Sequence, residues 1–507
     1  MPPSSQPLPS SHKILLYVIV FFCGAAVMII ELVGSRVIAP YVGTSVYVWT
    51  SLIGVILGSL SLGYYVGGRF ADRGATLKGL ATILLFAGIS TVAILYIRHI
   101  AYLVGSFDSG LQFGSLIIAS ILFVPSTFFF GMITPYATRI RLYDISTSGR
   151  AVGSLYALST LGSILGTFLG GFFLISYFGN ARILLVLGII STILALIVAL
   201  LHKTDHHFLN VTLFSIGLTF FGFYIPHDLP VQGTFVAEKD TRYKRVWVYD
   251  SKDRRTNRDT RILTDTIFAG QSGMFLDNPT ELLFDYQKYF DLAFHFVPDG
   301  KQALMIGAGA FTYPPHYFRE KSDTIMDVVE IDPALQELTQ KYFYLPDEPR
   351  LSIIHQDGRI FLNQTKKTYD TIIVDAFTSF VSIPYQLTTR EAVAKMYDHL
   401  EDNGTVLVNI ISGIEGYRGE FLRAEYATYR SIFPTVLIFK VNPEENDSAR
   451  QNIILVALKG TLPSLINKDP YLNTMLTNVY KKTITKDQPI LEDNFAPVEK
   501  YTAKLLL

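Results

Sequence analysis

Residues 302–332 read QALMIGAGAFTYPPHYFREKSDTIMDVVEID, and this stretch decides the fold of the C-terminal half. Its first apolar run, 303–306, predicts a buried parallel strand that breaks at a turn of small residues at 307–309. A second apolar run, 326–329, ends at Glu330. A glycine turn after one strand and an acid at the tip of the next, about 20 residues further on, is the arrangement that holds the ribose of a nucleoside.

The glycine turn supports two interpretations. Gly307 and Gly309 either let backbone N–H groups approach a ligand or serve only the packing of a strand against a helix. The next residues, 310–315, read AFTYPP and lack the third glycine of a dinucleotide fingerprint. A pyrophosphate site is therefore disfavoured, and a nucleoside without a pyrophosphate, such as an adenosyl sulfonium compound, fits the pattern better.

Strands and helices alternate from residue 302 onward and predict a doubly wound, Rossmann-like α/β sheet. The predicted helices lie near 313–320, 333–342, 358–364 and 388–400. Such sheets bind ligands outside the carboxyl ends of their strands, so acids at those ends are site candidates. Asp375 follows the fourth strand and faces the expected reacting centre. Asp357, with Gly358, follows the third strand and either binds the base of a nucleoside or only caps the next helix.

The residues before this sheet predict a small β-rich cap and a connecting helix over 231–300. Strands are expected at 246–249 and 261–263 with a charged turn between them, and such a hairpin can cover a cleft. Residues 281–296 have helical spacing and predict one continuous helix. The α/β domain is then expected to occupy 301–507.

The N-terminal part, 1–230, predicts a multi-span membrane domain. Half of the 507 residues are hydrophobic and only 17% are charged, and the charges are almost absent from 14–225. Apolar stretches long enough to cross a bilayer, about 20 residues each, lie at 14–33, 47–68, 78–97, 114–134, 154–177, 182–201 and 208–225. Membrane lipid is thus an expected partner.

The loop charges create a conflict about sidedness. Arginines and lysines concentrate in the second, fourth and sixth connections between the apolar stretches, which places the N-terminus in the cytosol. Seven crossings then place the C-terminal half outside, away from cytosolic nucleotides. We expect instead that one apolar stretch does not cross and that the catalytic domain is cytoplasmic.

The composition also disfavours several classes of function. The formal net charge is zero, so nothing indicates a nucleic-acid partner. The single cysteine, Cys23, lies in an apolar run and offers neither a disulfide framework nor a zinc cluster. No metal site is predicted.

The C-terminal half, about 240–412, resembles the spermidine synthase (polyamine aminopropyltransferase) family. The whole chain resembles the membrane-fused bacterial branch of that family. The matching segments, in order, are MIGAGA at 305–310, VVEIDP at 328–333, QDGRIFL at 356–362, IIVDAFTS at 372–379, IPYQLTTRE at 383–391 and EDNFAPVEKY at 492–501.

The resemblance implies roles for single residues and no tightly bound cofactor. Glu330 is implied to hold the ribose of the co-substrate decarboxylated S-adenosylmethionine, and Asp357 with Gly358 to bind its adenine. Gln271 matches a glutamine that contacts this donor, and Tyr289 matches the tyrosine of the family's Tyr-His-Glu turn. Asp375 matches the acid that orients and deprotonates the attacking amine of a small-molecule acceptor. A homodimer is left open.

The chain departs from the family pattern on the amine side. Ala310 stands where an acid helps to bind the amine, Phe290 and Asp291 replace the histidine and glutamate of Tyr-His-Glu, and Thr378 replaces a second acid after Asp375. Desolvated ammonium groups need paired carboxylates, so putrescine is a doubtful acceptor and the acceptor is left unassigned.

Three functions therefore compete. The leading hypothesis is a membrane aminopropyltransferase acting on a less polar or lipid-borne amine. A methyltransferase that uses S-adenosylmethionine itself shares the sheet and the nucleoside contacts, and Ala310 removes the carboxylate that repels the carboxyl group of that cofactor. A transporter or sensor that only binds a nucleoside is the non-catalytic alternative.

Overall fold

The computed structural model describes residues 9–98, 110–142, 148–201, 212–213, 217, 233–266, 270–376 and 383–506. The chain divides into two compact units, Met1–Asp228 with Lys239–Arg245 and Leu229–Glu238 with Val246–Leu507. We call them the apolar unit and the α/β unit. Most of the predicted cap therefore shares a unit with the predicted α/β domain.

Six helices in the described part of the apolar unit are long and apolar enough to cross a membrane. They are α1 (Ser10–Val42), α2 (Val46–Asp72), α3 (Leu77–Ile97), α4 (Gly110–Arg141), α5 (Ser148–Phe168) and α6 (Asn180–Leu201). Helix α5 continues through a π-helical turn, Leu169–Leu174, into a last helical turn, Ile175–Tyr177. Each contains one predicted stretch, and the seventh, 208–225, lies outside the described residues except for 212, 213 and 217.

Glycines allow close contacts between helices of the apolar unit. A Cβ added at Gly162 of α5 would lie 2.1 Å from the carbonyl oxygen of Phe21 on α1. A Cβ at Gly63 of α2 would lie 2.4 Å from the carbonyl oxygen of Phe128 on α4. Gly58 of α2, in contrast, has nothing within 4 Å of that position.

The α/β unit begins with a four-stranded sheet in the order β1-β2-β3-β4. Its strands are β1 (Thr234–Asp240), β2 (Arg245–Lys252), β3 (Asp259–Thr264) and β4 (Ser272–Phe275). The predicted hairpin is β2 and β3, which pair antiparallel around a charged turn. The sheet is larger than predicted, because β1 and β4 flank that hairpin.

The predicted helix over 281–296 is wrong as a continuous element. The structure has two short helices, α7 (Asp285–Lys288) and α8 (Leu292–Phe296), joined by a 3₁₀ turn at Tyr289–Asp291. Leu282 and Leu283 instead lie in a buried segment before α7, where Leu282 forms a bridge to Met274 of β4. Tertiary contacts of the apolar side chains explain the break.

The main sheet has seven strands in the order β10-β11-β9-β8-β5-β6-β7. Strands β5 (Gln302–Ile306), β6 (Ile325–Val329), β7 (Leu351–Ile354), β8 (Tyr369–Val374) and β9 (Leu400–Ser412) pair in parallel. Strand β11 (Gln451–Leu458) pairs antiparallel with both β9 and β10 (Thr435–Lys440). This is the methyltransferase type of Rossmann-like sheet. The strand order reverses at β5, where such sheets bind ligands.

The remaining helices of the α/β unit connect the strands and close its end. They are α9 (Tyr313–Glu320), α10 (Pro333–Tyr342), α11 (Gly358–Gln364), α12 (Arg390–Asp398), α13 (Glu420–Arg430), α14 (Pro470–Thr477) and α15 (Val498–Thr502), with 3₁₀ turns at Tyr385–Leu387, Tyr417–Gly419 and Ala503–Leu506. Three of them, α9 to α11, have the predicted bounds. Helices α10 and α11 start at side-chain caps, Asp332 and Asp357.

Both faces of the main sheet are buried, as a doubly wound fold requires. On β5, Ala303 and Met305 belong to one hydrophobic core. The alternating residues Leu304 and Ile306 belong to the other. The backbone at the carboxyl end of β5 is therefore held from both sides and provides a rigid base for a site.

Candidate active site

The turn after β5 packs directly on the end of β8. Gly307 and Gly309 have φ angles of +82° and +53°, which L side chains rarely adopt. A Cβ added at Gly307 would lie 2.4 Å from the carbonyl oxygen of Asp375. Gly307 therefore allows the turn to pack closely against the residue that follows β8. A role of the two glycines in binding a ligand stays a prediction.

The carboxylate of Glu330 lies against this turn, at the end of β6. One oxygen, Oε2, accepts a hydrogen bond from the backbone N–H of Ala308 at 3.1 Å. The other, Oε1, accepts from the backbone N–H of Asp332 at 3.0 Å. The side chain is 6% exposed. Two backbone donors therefore orient a buried carboxylate at the point where the sheet reverses its strand order.

Asp357 caps a helix, which was one of its two predicted roles. Its Oδ1 accepts a hydrogen bond from the backbone N–H of Ile360 at 3.0 Å, and it precedes the first residue of α11. A Cβ added at Gly358 would lie 2.6 Å from Cγ2 of Ile306, the last residue of β5. The start of α11 is therefore pressed onto the end of β5, and an adenine contact for Asp357 and Gly358 stays a prediction.

Two exposed isoleucines accompany these acids and were not among the predicted site residues. Ile331 follows Glu330 and is 38% exposed, and Ile360 lies in the first turn of α11 and is 47% exposed. Exposed apolar side chains offer surface to a flat aromatic base. Their position in the sequence could have identified them, since each isoleucine lies within three residues of a predicted acid.

Asp375 is held by side-chain hydrogen bonds at both carboxylate oxygens. The hydroxyl of Tyr286, on α7, donates to Oδ2 at 3.2 Å. The Nδ2 atom of Asn409, on β9, donates to Oδ1 at 3.0 Å. Because Val408 pairs with Val374 in the sheet, the next residue on each strand, Asn409 and Asp375, lie side by side. Topology therefore produces this contact.

Burial shapes the titration of this site. Desolvation raises the pKa of Asp375 to about 6, although the hydrogen bonds from Asn409 and Tyr286 lower it. Burial and the neighbouring Asp375 carboxylate raise the pKa of Tyr286 well above its ordinary value. Tyr286 is thus a neutral hydrogen-bond donor at neutral pH. Asp375 is mostly ionised at pH 7 and a stronger base than an exposed aspartate.

A second asparagine, Asn452 on β11, continues this chain of contacts. Its Nδ2 atom donates to Oδ1 of Asn409 at 2.9 Å. Neither asparagine was predicted to belong to the site. The signal for Asn409 is a polar residue within the apolar run TVLVNII, 405–411, which was read only as a strand.

Tyr289, which is predicted to contact the donor, has a buried ring, and its hydroxyl accepts a hydrogen bond from Nδ2 of Asn478 at 2.7 Å. Its role at the donor stays a prediction. The tyrosine that contacts Asp375 is Tyr286, three residues earlier in the chain, which was not among the predicted site residues.

The two neighbours of Tyr289 that depart from the family pattern serve the core. Phe290 is fully buried and meets the ring of Tyr286 edge-on, with centroids 5.9 Å apart. Asp291 is 1% exposed and accepts hydrogen bonds from three groups, namely the hydroxyls of Tyr313 and Tyr471 and Nε2 of His316. Asp291 is therefore committed to a structural network.

Uncharged polar groups surround the start of α9. Nε2 of Gln287 donates to Oγ1 of Thr312 at 3.3 Å, and the hydroxyls of Ser272 and Thr312 lie 3.5 Å apart. A Cβ added at Gly309 would lie 3.1 Å from Cβ of Ser272, so this group adjoins the glycine turn. Ala310 is fully buried there. These side chains next to the glycine turn are uncharged, and the poverty of the amine side in carboxylates stays a prediction.

Two further predicted positions complete the site. Gln271 is half-buried, and its backbone N–H donates to the carbonyl of Leu263 at 2.9 Å, so it lies at the start of β4 next to Ser272. Its contact with a donor stays a prediction. Thr378 falls within 377–382, outside the described residues.

Comparison with known proteins shows which family this part of the chain is similar to. The family described as "Spermine/spermidine synthase domain" matches residues 285–414. The polyamine aminopropyltransferase of Vibrio vulnificus is 26% identical over 240 residues, covering 46% of this chain and 75% of that protein. Polyamine aminopropyltransferase 1 of Streptomyces coelicolor is 22% identical over 412 residues, covering 72% of this chain and 71% of that protein.

A solved structure is similar at the level of fold. It is that of a probable spermidine synthase from Corynebacterium glutamicum, with 20% sequence identity and a TM-score of 0.40, covering 46% of this chain and 83% of that one.

Proposed function

Because residues 285–414 match the spermine/spermidine synthase domain, we propose that the protein is a membrane-bound polyamine aminopropyltransferase. It transfers an aminopropyl group from decarboxylated S-adenosylmethionine to an amine acceptor. The observation that carries the proposal is Asp375, a largely buried carboxylate with two fixed donors and a pKa raised to about 6.

Asp375 supplies the base that the reaction needs. An amine with a pKa near 10 arrives protonated and must lose a proton before its lone pair can attack. The Asp375 carboxylate attracts the ammonium and accepts that proton. A C–N bond then forms at the carbon next to the sulfonium, the C–S bond breaks, and the electron pair stays on sulfur in neutral 5′-methylthioadenosine. A rise from 3.8 to about 6 makes the base stronger by ~3 kcal/mol.

The donor is held on the other side of the turn. Glu330 binds the ribose hydroxyls, for which its carboxylate is oriented by two backbone donors. Asp357 and Gly358 bind the adenine, with Ile331 and Ile360 providing apolar surface for the ring. Gly307, Gly309 and Gln271 enclose the remaining part of the nucleoside. Positioning does most of the catalytic work, since the sulfonium is already a good leaving group.

The acceptor is a less polar or lipid-borne amine. Around the start of α9, Gln287 contributes an amide and Ser272 and Thr312 contribute hydroxyls. The buried Asp291 carboxylate is already bonded to Tyr313, Tyr471 and His316. A second ammonium, as in putrescine, would be desolvated there without an available carboxylate partner. An acceptor with one amine, held next to Asp375, avoids that cost.

The membrane part of the proposal rests on two observations. The described apolar unit has six helices of sufficient length and apolarity to span a bilayer. The match to the Streptomyces coelicolor relative covers 72% of this chain, which is more than residues 233–507 and therefore reaches into the apolar unit. We propose accordingly a multi-pass cell-membrane protein in which six of the seven apolar stretches cross, because the loop charges then place the catalytic unit in the cytoplasm.

Ala310 favours a methyltransferase as the second candidate, because no acid at that position repels the carboxyl group of intact S-adenosylmethionine. Mass spectrometry of the products decides between the two. The detergent-solubilised full chain is incubated with each sulfonium donor and a panel of diamines, monoamines and amino-lipids, with Asp375→Asn as the control. We expect a product that gains one aminopropyl group. A product that gains one methyl group selects the methyltransferase, and no product from any pair contradicts the proposal.

A further inference from the structure

Asn452 and Asn409 form a chain of side-chain amides that ends on Asp375. Nδ2 of Asn452 donates to Oδ1 of Asn409 at 2.9 Å, and Nδ2 of Asn409 donates to Oδ1 of Asp375 at 3.0 Å. The strand register explains the first contact. Asn409 pairs with Ile454 of β11, so Asn452, two residues before Ile454, lies diagonally opposite on the same face of the sheet.

The orientation of the Asn409 amide matters for the Asp375 carboxylate. The oxygen and nitrogen of an asparagine amide are nearly alike in shape, so hydrogen bonds alone decide which of them faces a neighbour. If the amide of Asn409 turned over, its Oδ1 would face Oδ1 of Asp375 and repel it. The donor on Asn452 pairs with Oδ1 of Asn409 and so favours the orientation in which Nδ2 reaches Asp375.

We propose that Asn452 is a positioning residue for Asp375: it keeps Asn409 oriented as a donor and thereby keeps the carboxylate ionised and aimed at the acceptor. Asn452 acts only through Asn409, since its recorded side-chain contact is with that residue. The inference rests on the proposed role of Asp375 as a base. It adds a residue from the antiparallel strand β11, beyond the end of the 285–414 family match.

Few described groups act on the Asp375 carboxyl. From α7 the phenol of Tyr286 faces it, and from β9 the amide of Asn409 does. Tyr286 remains neutral near pH 7 because burial and the charge of Asp375 raise its pKa well above the ordinary value. The hydrogen bond from Asn409 lowers the pKa of Asp375, against the upward effect of burial. Weakening that hydrogen bond therefore raises the pKa.

The test is Asn452→Asp, which changes the shape of the side chain least. An ionised aspartate cannot donate to Oδ1 of Asn409, so the amide turns to donate to position 452 and presents its oxygen to Asp375. The added negative charge acts in the same direction. We expect the acid limb of the pH profile of kcat/KM to move upward by about one unit. The loss is then about fivefold near pH 6, approaches about tenfold below pH 5, and is less than about twofold near pH 8.5.

The matched control is Gln451→Glu, the same kind of amide-to-carboxylate change on the adjacent residue of β11. Successive strand residues point to opposite faces, so its charge lies on the other side of the sheet. Oε1 of Gln451 accepts from the backbone N–H of Asn442 at 3.3 Å, and a glutamate keeps that acceptor. We expect its pH profile to match the wild type. Asn452→Leu, which removes the donor without adding charge, gives a smaller upward shift.

A second readout does not depend on turnover. Infrared difference titration of the full chain, with Asp375→Asn as the blank, follows the protonation of the Asp375 carboxyl directly. An upward shift in Asn452→Asp without aminopropyl transfer by the wild type retains the positioning role and removes the proposed function. A loss of rate that is equal at all pH values, with an unmoved carboxyl titration, overturns the positioning role.

Discussion

The two sides of the site differ in how the protein holds charge. On the nucleoside side, around β5 to β7, the carboxylates of Glu330 and Asp357 are bound by backbone N–H groups. On the amine side, around β8, β9 and β11, Asp375 is bound by side chains that come from distant parts of the chain. The backbone donors lie at most 22 residues from their acid, whereas the two side-chain donors lie 34 and 89 residues from Asp375.

This difference indicates which of the two sides is more sensitive to substitutions elsewhere in the protein. A carboxylate held by backbone donors stays in place as long as the strands and turns that carry those donors fold. A carboxylate held by Tyr286 and Asn409 responds to substitutions at several remote positions. We therefore expect some variants to change nucleoside affinity and others to change turnover.

Asp375→Asn gives the largest effect. The amide cannot accept the proton of the attacking ammonium, so we expect turnover to fall by about 10³-fold, within the range for loss of a general base. Affinity for 5′-methylthioadenosine, measured by calorimetry, stays within about twofold, because the nucleoside contacts are elsewhere. An equal loss of turnover and affinity reassigns Asp375 to a structural role.

Glu330→Gln gives the opposite pattern. Hydrogen bonds to a charged acceptor contribute ~1.5–3 kcal/mol, so we expect affinity for 5′-methylthioadenosine to fall by about 10- to 100-fold. The rate at saturating donor changes much less. Initial rates at varied donor concentration check this. If Glu330→Gln lowers the rate at saturating donor and leaves the affinity for 5′-methylthioadenosine unchanged, the proposed difference between the two sides is wrong.

The stability of the protein also depends on Asp375, with a sign that follows from its raised pKa. Because the folded-state pKa of about 6 lies above the ordinary value of 3.8, its favourable contribution to folding is present below about pH 4 and is lost as pH rises through 6. Asp375→Asn is therefore expected to be more stable than the wild type at pH 8, by ~1–3 kcal/mol. Thermal unfolding of both at pH 4 and pH 8 measures this, and a destabilised variant at pH 8 contradicts it.

Asp357→Asn gives the smallest effect and separates two roles of one residue. Asparagine caps helices as well as aspartate does, so stability is expected to change by less than ~0.5 kcal/mol. Affinity for 5′-methylthioadenosine falls by a few-fold if the carboxylate contacts adenine. Asp357→Ala serves as the comparison, because it removes the cap as well, at a cost of ~1 kcal/mol. Unchanged affinity in Asp357→Asn limits the residue to its cap.

Local sequence signals explain which parts of the fold the sequence predicts. Helices α10 and α11 start at Asp332 and Asp357, whose side chains cap them, and both helices have their predicted bounds. Strands β5 and β6 were also recognisable, because a strand buried on both faces is a nearly continuous apolar run. Glu330 follows β6 and Asp375 follows β8, so both acids were found as residues at strand ends.

The remaining features depend on contacts between distant residues. The segment 281–296 has helical spacing, yet it folds as two short helices, and Tyr286, which was not a predicted site residue, reaches Asp375. The hydrogen bond between Asn452 and Asn409 joins residues 43 positions apart. It exists only because β11 inserts antiparallel beside β9. No local pattern in 435–458 predicts that insertion.

The most direct test of the account is calorimetric titration of the solubilised full chain with 5′-methylthioadenosine and, separately, with putrescine. We expect saturable binding of the nucleoside that Glu330→Gln weakens and Asp375→Asn leaves intact, and no saturable binding of putrescine. A wild-type protein that binds putrescine but neither 5′-methylthioadenosine nor any adenosyl sulfonium contradicts the assignment of both sides of the site.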